Sequence, residues 1–301
     1  MIYLWAVTLL WAFSFSLIGV YLSATVDAYF AVFTRALLAS LLFLPFLRWK
    51  GISVRWQAKL MGIGAIQLGV MYLFLYQSFS FLSVPEVLLF TIFTPIYIAL
   101  MDDALQRRFT PRYVIIASIA VLGAGIIRYN QLSAEFLIGF LLVQGANACF
   151  AFGQIAYKHL VQQEPEQAPL FSGIHTFGYF YLGALLVSLL GLLLFGDSTR
   201  LPTQTIEWSI LLWLGLVASG CGYFLWNKGA ALVDTGVLAV MNNLLIPAGL
   251  LVNLLIWSRE VDLLRLSLGC LVMLGALLLN HYWARAQNHL AQDTTKHADM
   301  R

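Results

Sequence analysis

The sequence predicts an all-α membrane protein with ten transmembrane helices, arranged as two inverted repeats of five helices each. Apolar stretches of about 20 residues recur along the chain, and about 20 helical residues are needed to cross a bilayer core. Of the 301 residues, 61% are hydrophobic and 10% are charged, whereas a soluble domain carries about 25% charged residues. The two halves of the chain also resemble each other.

Each apolar stretch is predicted to be a helix, because backbone groups in lipid must form their hydrogen bonds internally. The connections are short, so consecutive helices are expected to be antiparallel neighbours. The predicted spans cover residues 2–22, 28–47, 59–80, 86–103, 112–129, 136–158, 170–195, 208–228, 235–257 and 263–284. A polar tail, residues 285–301, follows the last span.

Positively charged residues are concentrated on one side of the predicted spans. They lie in the second connection, the fourth connection and the tail: Arg48, Lys50, Arg55, Lys59, Arg107, Arg108, Arg112, Arg285, Lys296 and Arg301. Because short loops that are rich in Lys and Arg stay in the cytoplasm, both termini and the 285–301 tail are predicted to be cytoplasmic. This orientation is an expectation for a multi-pass membrane protein.

The proline positions indicate that residues 136–284 repeat the pattern of residues 1–130. Pro95 lies in the fourth span and Pro247 in the ninth, and each is followed at the same spacing by a Leu-Gly-Ala sequence, at Gly123 and Gly275. An odd number of spans in each half inverts one half relative to the other, as in secondary carriers with a site near the midplane. Each proline removes a helical hydrogen bond. It is therefore interpreted as either a packing kink or one of two paired hinges beside a cavity.

Arg35 is predicted to lie near the middle of the second span. An arginine at a helix centre costs about 2.5–3.5 kcal/mol on insertion scales, so its side chain needs a partner. One interpretation is a structural tie to carbonyls or hydroxyls of a neighbouring helix. The other is a counter-charge for an anionic substrate.

Polar and aromatic side chains on the other spans form the candidate substrate site. Gln144, Asn147 and Gln154 share one face of the sixth span, where they either line a cavity or form hydrogen bonds between helices. Rings that carry hydroxyls, together with amides, suit a substrate with an apolar body and a polar head, although each ring alone could be core packing. The candidate substrate-binding residues are Trp11, Ser14, Tyr72, Tyr76, Thr94, Tyr97, Gln144, Asn147, Gln154, Tyr223, Trp226, Asn227, Asn242 and Asn243.

Several function classes find no support in the sequence. There is no phosphate-binding loop and no histidine–acid constellation, so neither an enzyme nor a cofactor or metal site is predicted, and nothing indicates nucleic-acid binding. The cysteines lie singly and are interpreted as packing residues. No acid is predicted deep in a span, so Glu86 and His175 are the nearest candidates for a proton relay.

Several residues and runs carry a family resemblance, namely Trp11, Arg35 with Ala39, Pro95, 26–32, 88–95, 123–129, 222–224 and Asn242-Asn243. On these residues the chain resembles the drug/metabolite transporter superfamily with two EamA-type domains. Within it the chain is most similar to the carboxylate, amino-acid and amine branch and to bacterial biotin uptake carriers. The resemblance implies a central polar cavity between the first, third, fourth, sixth, eighth and ninth spans.

The resemblance implies a secondary carrier that takes up a small carboxylated metabolite, with biotin as the expected substrate, across the bacterial inner membrane. Arg35 could answer the carboxylate of biotin, amides its ureido group, and aromatic faces its apolar ring. The expected partners are this small molecule and the lipid bilayer. An exporter of amino acids or drugs, and a membrane scaffold that transports nothing, are the alternatives, because a fold alone does not fix function.

Overall fold

The computed structural model describes residues 1–105, 107, 115, 134–163, 173–233 and 235–257, together with the single residues 264, 267, 268, 271, 275, 278 and 282. This part of the chain contains eight helices that are long and apolar enough to cross a membrane. They are α1 (Ile2–Leu22), α2 (Ala28–Phe46), α3 (Val54–Ser78), α4 (Val84–Leu105), α5 (Ala134–Gln163), α6 (Ile174–Phe195), α7 (Thr205–Ala231) and α8 (Thr235–Ile256).

The eight helices confirm an all-α, multi-pass membrane protein. They correspond to the first four predicted spans and to the sixth to ninth, and the described residues contain no strand. Apart from single positions, the predicted spans 112–129 and 263–284, the Leu-Gly-Ala repeat at Gly123 and Gly275, and the tail 285–301 lie outside the described residues. The ten-helix arrangement in two repeats therefore stays a prediction.

Helix starts are set by capping side chains, which a hydropathy pattern does not register. α3 begins before the predicted residue 59 because the Ser53 hydroxyl accepts a hydrogen bond from the backbone N–H of Trp56 (3.2 Å). α4 and α7 begin with acidic caps. Glu86 accepts from the backbone N–H of Ser83 (2.8 Å), and Glu207 accepts from that of Gln204 (3.0 Å).

The chain divides into two compact units, Met1–Asp102 with Ser133–Arg259, and Asp103–Leu132 with Glu260–Arg301. All contacts described below lie in the first unit. There α6 packs on α2 and α3, α8 packs on α1 and α4, and α5 packs on α3 and α7. α3 and α6 approach backbone to backbone, because a Cβ at Gly64 would overlap the carbonyl of Phe180 and a Cβ at Gly183 would overlap that of Met61.

Three helices contain a π-helical segment, in which one extra residue widens the turn. These segments are Ile18–Leu22 in α1, Ala65–Val70 in α3 and Leu214–Cys221 in α7. If the segment of α3 is shifted along the sequence by the separation between Pro95 and Pro247, it overlaps the segment of α7. No pattern in the sequence predicted any of these segments.

The two prolines that were predicted as paired hinges differ in their surroundings. α4 is interrupted by a 3-10 turn at Thr91–Phe93, and Pro95 follows directly in the next α-helical segment, where its missing N–H is tolerated. α8 is assigned as one continuous α-helix through position 247. The structure thus has a break beside Pro95 alone, and a hinge role stays a prediction for both.

Candidate substrate cavity

A cavity of about 70 Å³ lies between the helices of the first unit. Every described helix except α6 contributes to its wall. The lining residues are Trp11, Ser14, Phe15, Ile18, Arg35, Met71, Tyr72, Leu75, Thr91, Thr94, Ala146, Asn147, Phe150, Tyr223, Asn242 and Leu245. The wall is mainly apolar with a few polar groups, which is typical of small-molecule sites.

Arg35 reaches this cavity from α2 and is 1% exposed. Its Nε donates to the hydroxyl of Ser219 (3.0 Å), Nη1 donates to that of Tyr76 (3.0 Å), and Nη2 donates to that of Tyr72. The guanidinium carbon also lies 4.0 Å from the centroid of the Tyr72 ring, a cation–π contact. All three hydrogen-bond partners among the described residues are neutral, so no carboxylate there balances the charge.

Ser219, which holds Arg35, is itself held in place by α6. It lies in the π-helical segment of α7 and is fully buried. Tyr181 on α6 donates its hydroxyl to the backbone carbonyl of Ser219 (3.0 Å), and to that of Gly220. The hydroxyls of Ser219 and Tyr72 also lie within hydrogen-bond distance, 3.3 Å. The guanidinium is therefore fixed by a network that joins α2, α3, α6 and α7.

Asn147 forms the polar part of the wall on α5. Its Nδ2 donates to the backbone carbonyl of Phe90 (2.9 Å) and to Oε1 of Gln144 (3.2 Å), while its Oδ1 accepts from the hydroxyl of Thr94 (3.2 Å). The carbonyl of Phe90 lies at the start of the 3-10 turn of α4. Asn147 thus ties the interrupted segment of α4 to α5.

A second polar layer lies behind the cavity, towards the turn between α7 and α8. Oε1 of Gln154 accepts from the indole N–H of Trp226 (3.1 Å) and from Nδ2 of Asn242 (3.2 Å). One turn further along α5, Nζ of Lys158 donates to the carbonyl of Val233 (2.8 Å) and to the hydroxyl of Thr235 (3.3 Å). These bonds close the helices together at this end of the cavity.

Aromatic rings form one side of the cavity. The indole N–H of Trp11 donates to the carbonyl of Ala218 (2.8 Å), inside the π-helical segment of α7. The Trp11 ring lies 5.1 Å from the Tyr223 ring and 5.6 Å from the Phe150 ring, measured between centroids. The π-helical turn therefore supplies both the carbonyl that orients Trp11 and the hydroxyl that holds Arg35.

The structure divides the predicted substrate-binding residues into three groups. Those on the cavity wall are Trp11, Ser14, Tyr72, Thr94, Asn147, Tyr223 and Asn242. Those behind it, each hydrogen-bonded to a wall residue, are Tyr76, Gln144, Gln154 and Asn227. Trp226 bonds to Gln154, Tyr97 is half-buried away from the wall, and Asn243 has a buried Oδ1 with no hydrogen-bond partner among the described residues.

Two wall residues outside the predicted set could have been found from helix spacing. Phe150 lies three residues after Asn147 and Thr91 lies three residues before Thr94, so each shares a helix face with its predicted neighbour. Met71, Leu75 and Leu245 carry no comparable signal, because an apolar residue in a membrane helix is equally suited to lipid.

The candidates for a proton relay have structural partners. Glu86 caps the start of α4 through the N–H and the hydroxyl of Ser83, both at 2.8 Å, and Nδ1 of His175 lies 2.9 Å from the carbonyl of Phe46. Within the described residues no group of three or more His, Cys, Asp and Glu side chains could hold a metal ion.

The comparisons with known proteins agree with one another in matching transporters. The model of the EamA-like transporter family matches residues 1–129 and 137–281. A probable biotin transporter of Pseudomonas aeruginosa is 54% identical, over 94% of this chain and 98% of its own length. The biotin transporter of Escherichia coli (strain K12) is 46% identical, over 95% of this chain and 94% of its own length.

More distant matches extend this comparison. A pseudopaline exporter of Pseudomonas aeruginosa is 23% identical, over 86% of this chain and 88% of its own length. One solved crystal structure is similar with a TM-score of 0.64 at 18% identity, covering 91% of this chain and 94% of that chain. At this level of identity the match concerns the fold alone.

Proposed function

This chain belongs to the EamA-like transporter family, and we propose that it is a secondary carrier that takes up biotin across the bacterial inner membrane. The proposal extends to this chain the activity for which the relatives at 54% and 46% identity are named. Both relatives align along nearly the whole chain, so the helices that form the cavity are included in the similarity.

The observation that carries the proposal is the burial of Arg35 on the cavity wall with neutral partners among the described residues. A buried guanidinium on a cavity wall, held by neutral hydroxyls alone among the described residues, favours an anion in the cavity. Three of its five N–H donors are used, which leaves one on each terminal nitrogen. A carboxylate accepts two parallel hydrogen bonds from a guanidinium, and biotin carries one carboxylate.

The size of the cavity implies that the helices or side chains move when the substrate enters. The cavity volume is about 70 Å³. Ligand sites usually span about 300–1,000 Å³. The hydrogen bonds of Gln154 and Lys158 at the turn between α7 and α8 are the contacts whose release would enlarge the cavity at that end.

The same proposal includes two inverted five-helix repeats with both termini in the cytoplasm. The family model matches two consecutive stretches of the chain, which supports a repeat. The π-helical segments of α3 and α7 at corresponding positions support it further. In this topology the contacts of Lys158 lie at the cytoplasmic end of α5.

The test is uptake of labelled biotin by a bacterial strain that can neither make nor import biotin, with and without this gene. We expect growth on limiting biotin and saturable uptake only with the gene. Equal growth in both strains would contradict biotin uptake, and loss of preloaded label would indicate export instead. Arg35→Lys is expected to raise the half-saturating biotin concentration while competition by biotin methyl ester is unchanged.

Arg55→Lys is the matched control, because Arg55 is an exposed arginine at the start of α3. It is expected to behave as wild type. If Arg35→Lys also behaves as wild type towards both compounds, Arg35 does not receive the carboxylate.

A further inference from the structure

Asn147, Asn242 and Ser14 on the cavity wall each leave either a hydrogen-bond acceptor or a donor free for a ligand. Asn147 uses both hydrogens of its amide on the carbonyl of Phe90 and on Gln144. Because a backbone carbonyl can only accept, the NH₂ group of Asn147 must face Phe90. Its Oδ1 accepts one bond, from Thr94, and keeps one lone pair free.

Asn242 on α8 shows the same arrangement. Its Nδ2 donates to the carbonyl of Leu238 (2.8 Å) and to Oε1 of Gln154 (3.2 Å), so both amide hydrogens are used. The carbonyl of Leu238 again fixes the orientation of the amide. Oδ1 accepts only from Nε2 of Gln154, at 3.4 Å. Both wall asparagines can therefore accept hydrogen bonds from a ligand but cannot donate to it.

Ser14 supplies the complementary group. It lies on α1, lines the cavity and is 5% exposed. Its hydroxyl has no hydrogen-bond partner among the described residues. A buried hydroxyl without a partner carries an unfavourable desolvation energy, which a ligand acceptor would remove. Ser14 can thus donate one hydrogen bond into the cavity.

We propose that Asn147 and Asn242 accept hydrogen bonds from the two ureido N–H groups of biotin, and that Ser14 donates to the ureido oxygen. This assignment rests on the proposed function. Two acceptors and one donor match the two N–H groups and one carbonyl of a cyclic urea. The asparagines and Ser14 belong to α1, α5 and α8, whereas Arg35 belongs to α2, which packs on α6 and α7. The ureido ring and the carboxylate are thereby bound at different parts of the wall.

Other carboxylated ligands offer different hydrogen-bond donors and acceptors to these three residues. An amino acid presents no acceptor for Ser14 besides its carboxylate. A fatty acid leaves Ser14 without an acceptor and the remaining lone pair of each asparagine oxygen without a donor. A site whose buried polar groups are left unpaired rejects such a ligand strongly. The three residues therefore act as specificity-determining residues, while Arg35 would bind any carboxylate.

Ser14→Ala tests the donor, because this hydroxyl has no partner to lose among the described residues. We expect the concentrations of biotin, desthiobiotin and biotin methyl ester that half-saturate or half-inhibit uptake to rise by the same factor, about tenfold. All three compounds retain the ureido carbonyl. Ser40→Ala is the matched control, because Ser40 is also buried without a hydrogen-bond partner among the described residues but does not line the cavity.

The asparagines are tested with biotin methylated on one or the other ureido nitrogen. Wild-type protein is expected to discriminate against both isomers, and Asn147→Ala and Asn242→Ala are each expected to lose discrimination against one of them. Asn253→Ala is the control, because Asn253 is buried, bonds to the hydroxyl of Ser16 (3.3 Å) and does not line the cavity.

The outcomes separate this inference from the proposed function. No uptake of biotin by the wild type would refute biotin transport itself. Saturable biotin uptake that is equally affected by Ser14→Ala and Ser40→Ala would refute the role of Ser14. Equal competition by biotin and both methylated isomers in the wild type would refute the roles of the asparagines.

Discussion

The hydroxyl of Ser219 on α7 accepts a hydrogen bond from Nε of Arg35 on α2 across 184 positions of sequence, at 3.0 Å. Without this bond the guanidinium of Arg35 would keep its bonds to Tyr72 and Tyr76, but Nε would have no partner among the described residues. With Nε fixed by Ser219, the two terminal nitrogens are directed towards Tyr72 and Tyr76. A residue outside the predicted binding set thus sets the orientation of the cavity's cation.

We expect Ser219→Ala to weaken biotin binding through Arg35. Without the hydroxyl the guanidinium loses one of three bonds, so the half-saturating biotin concentration should rise about fivefold to tenfold. Competition by biotin methyl ester should change little, because the ester offers no anion. Uptake assays with both compounds measure this difference.

Ser188→Ala is the control for this prediction, since Ser188 is buried and its hydroxyl donates, within the described part of the chain, to the carbonyl of Leu185 on its own helix (3.0 Å). Ser219→Thr retains the hydroxyl and should restore part of the affinity. An equal loss of affinity for acid and ester would show that Ser219 acts on the fold rather than on the carboxylate.

Gly64→Ala should reduce the amount of folded protein. A Cβ at this position overlaps the backbone carbonyl of Phe180, and a backbone atom cannot rotate away as a side chain can. Forced overpacking in a close helix contact costs about 1–3 kcal/mol, occasionally more. Gly62→Ala is the control, because a Cβ there would meet no other described part of the protein within 4 Å. Thermal unfolding of the purified variants compares them, and equal stability would contradict the prediction.

Gln154→Leu should destabilise the helix ends near the turn between α7 and α8. The indole N–H of Trp226 would lose its acceptor while buried, which costs about 1–3 kcal/mol. Trp226→Phe removes that donor, so the combined variant should be less destabilised than the sum of the two single variants. Additive losses of thermal stability would show that the two side chains do not interact.

Glu86→Gln should leave biotin uptake, and its dependence on the proton gradient, unchanged. Glutamine can replace glutamate at this capping position, because its side-chain oxygen still accepts from the N–H of Ser83. Glu86→Ala should instead lower the yield of folded protein. Uptake with and without an uncoupler distinguishes a cap from a relay. If Glu86→Gln abolishes uptake driven by the gradient, Glu86 carries protons.

The helices could be predicted from the sequence because hydropathy over about 20 residues is a local property. α1 was predicted at 2–22 and is found at Ile2–Leu22. The start of α3 was missed because it depends on the hydroxyl of Ser53, and the π-helical segments were missed because they leave the hydrophobic pattern intact.

The candidate site could be predicted only in part. Asn147 and Gln154 share a helix face, and the periodicity identified that face, but it could not tell that one lines the cavity and the other lies behind it. The contact between Arg35 and Ser219 depends on how α2 and α7 pack, which no local pattern encodes.

A single residue inserted or deleted in the π-helical segment Ala65–Val70 would change which side chains of α3 face the cavity. Gly64 anchors the preceding half of α3 against α6, and Tyr72 and Tyr76 follow the segment. Deleting one residue between these fixed points would turn the second half of the helix by about 100° and carry both tyrosines away from the guanidinium. The number of residues between Gly64 and Tyr72 therefore matters to the site independently of their identity, and we expect insertions or deletions there to be tolerated less well than substitutions.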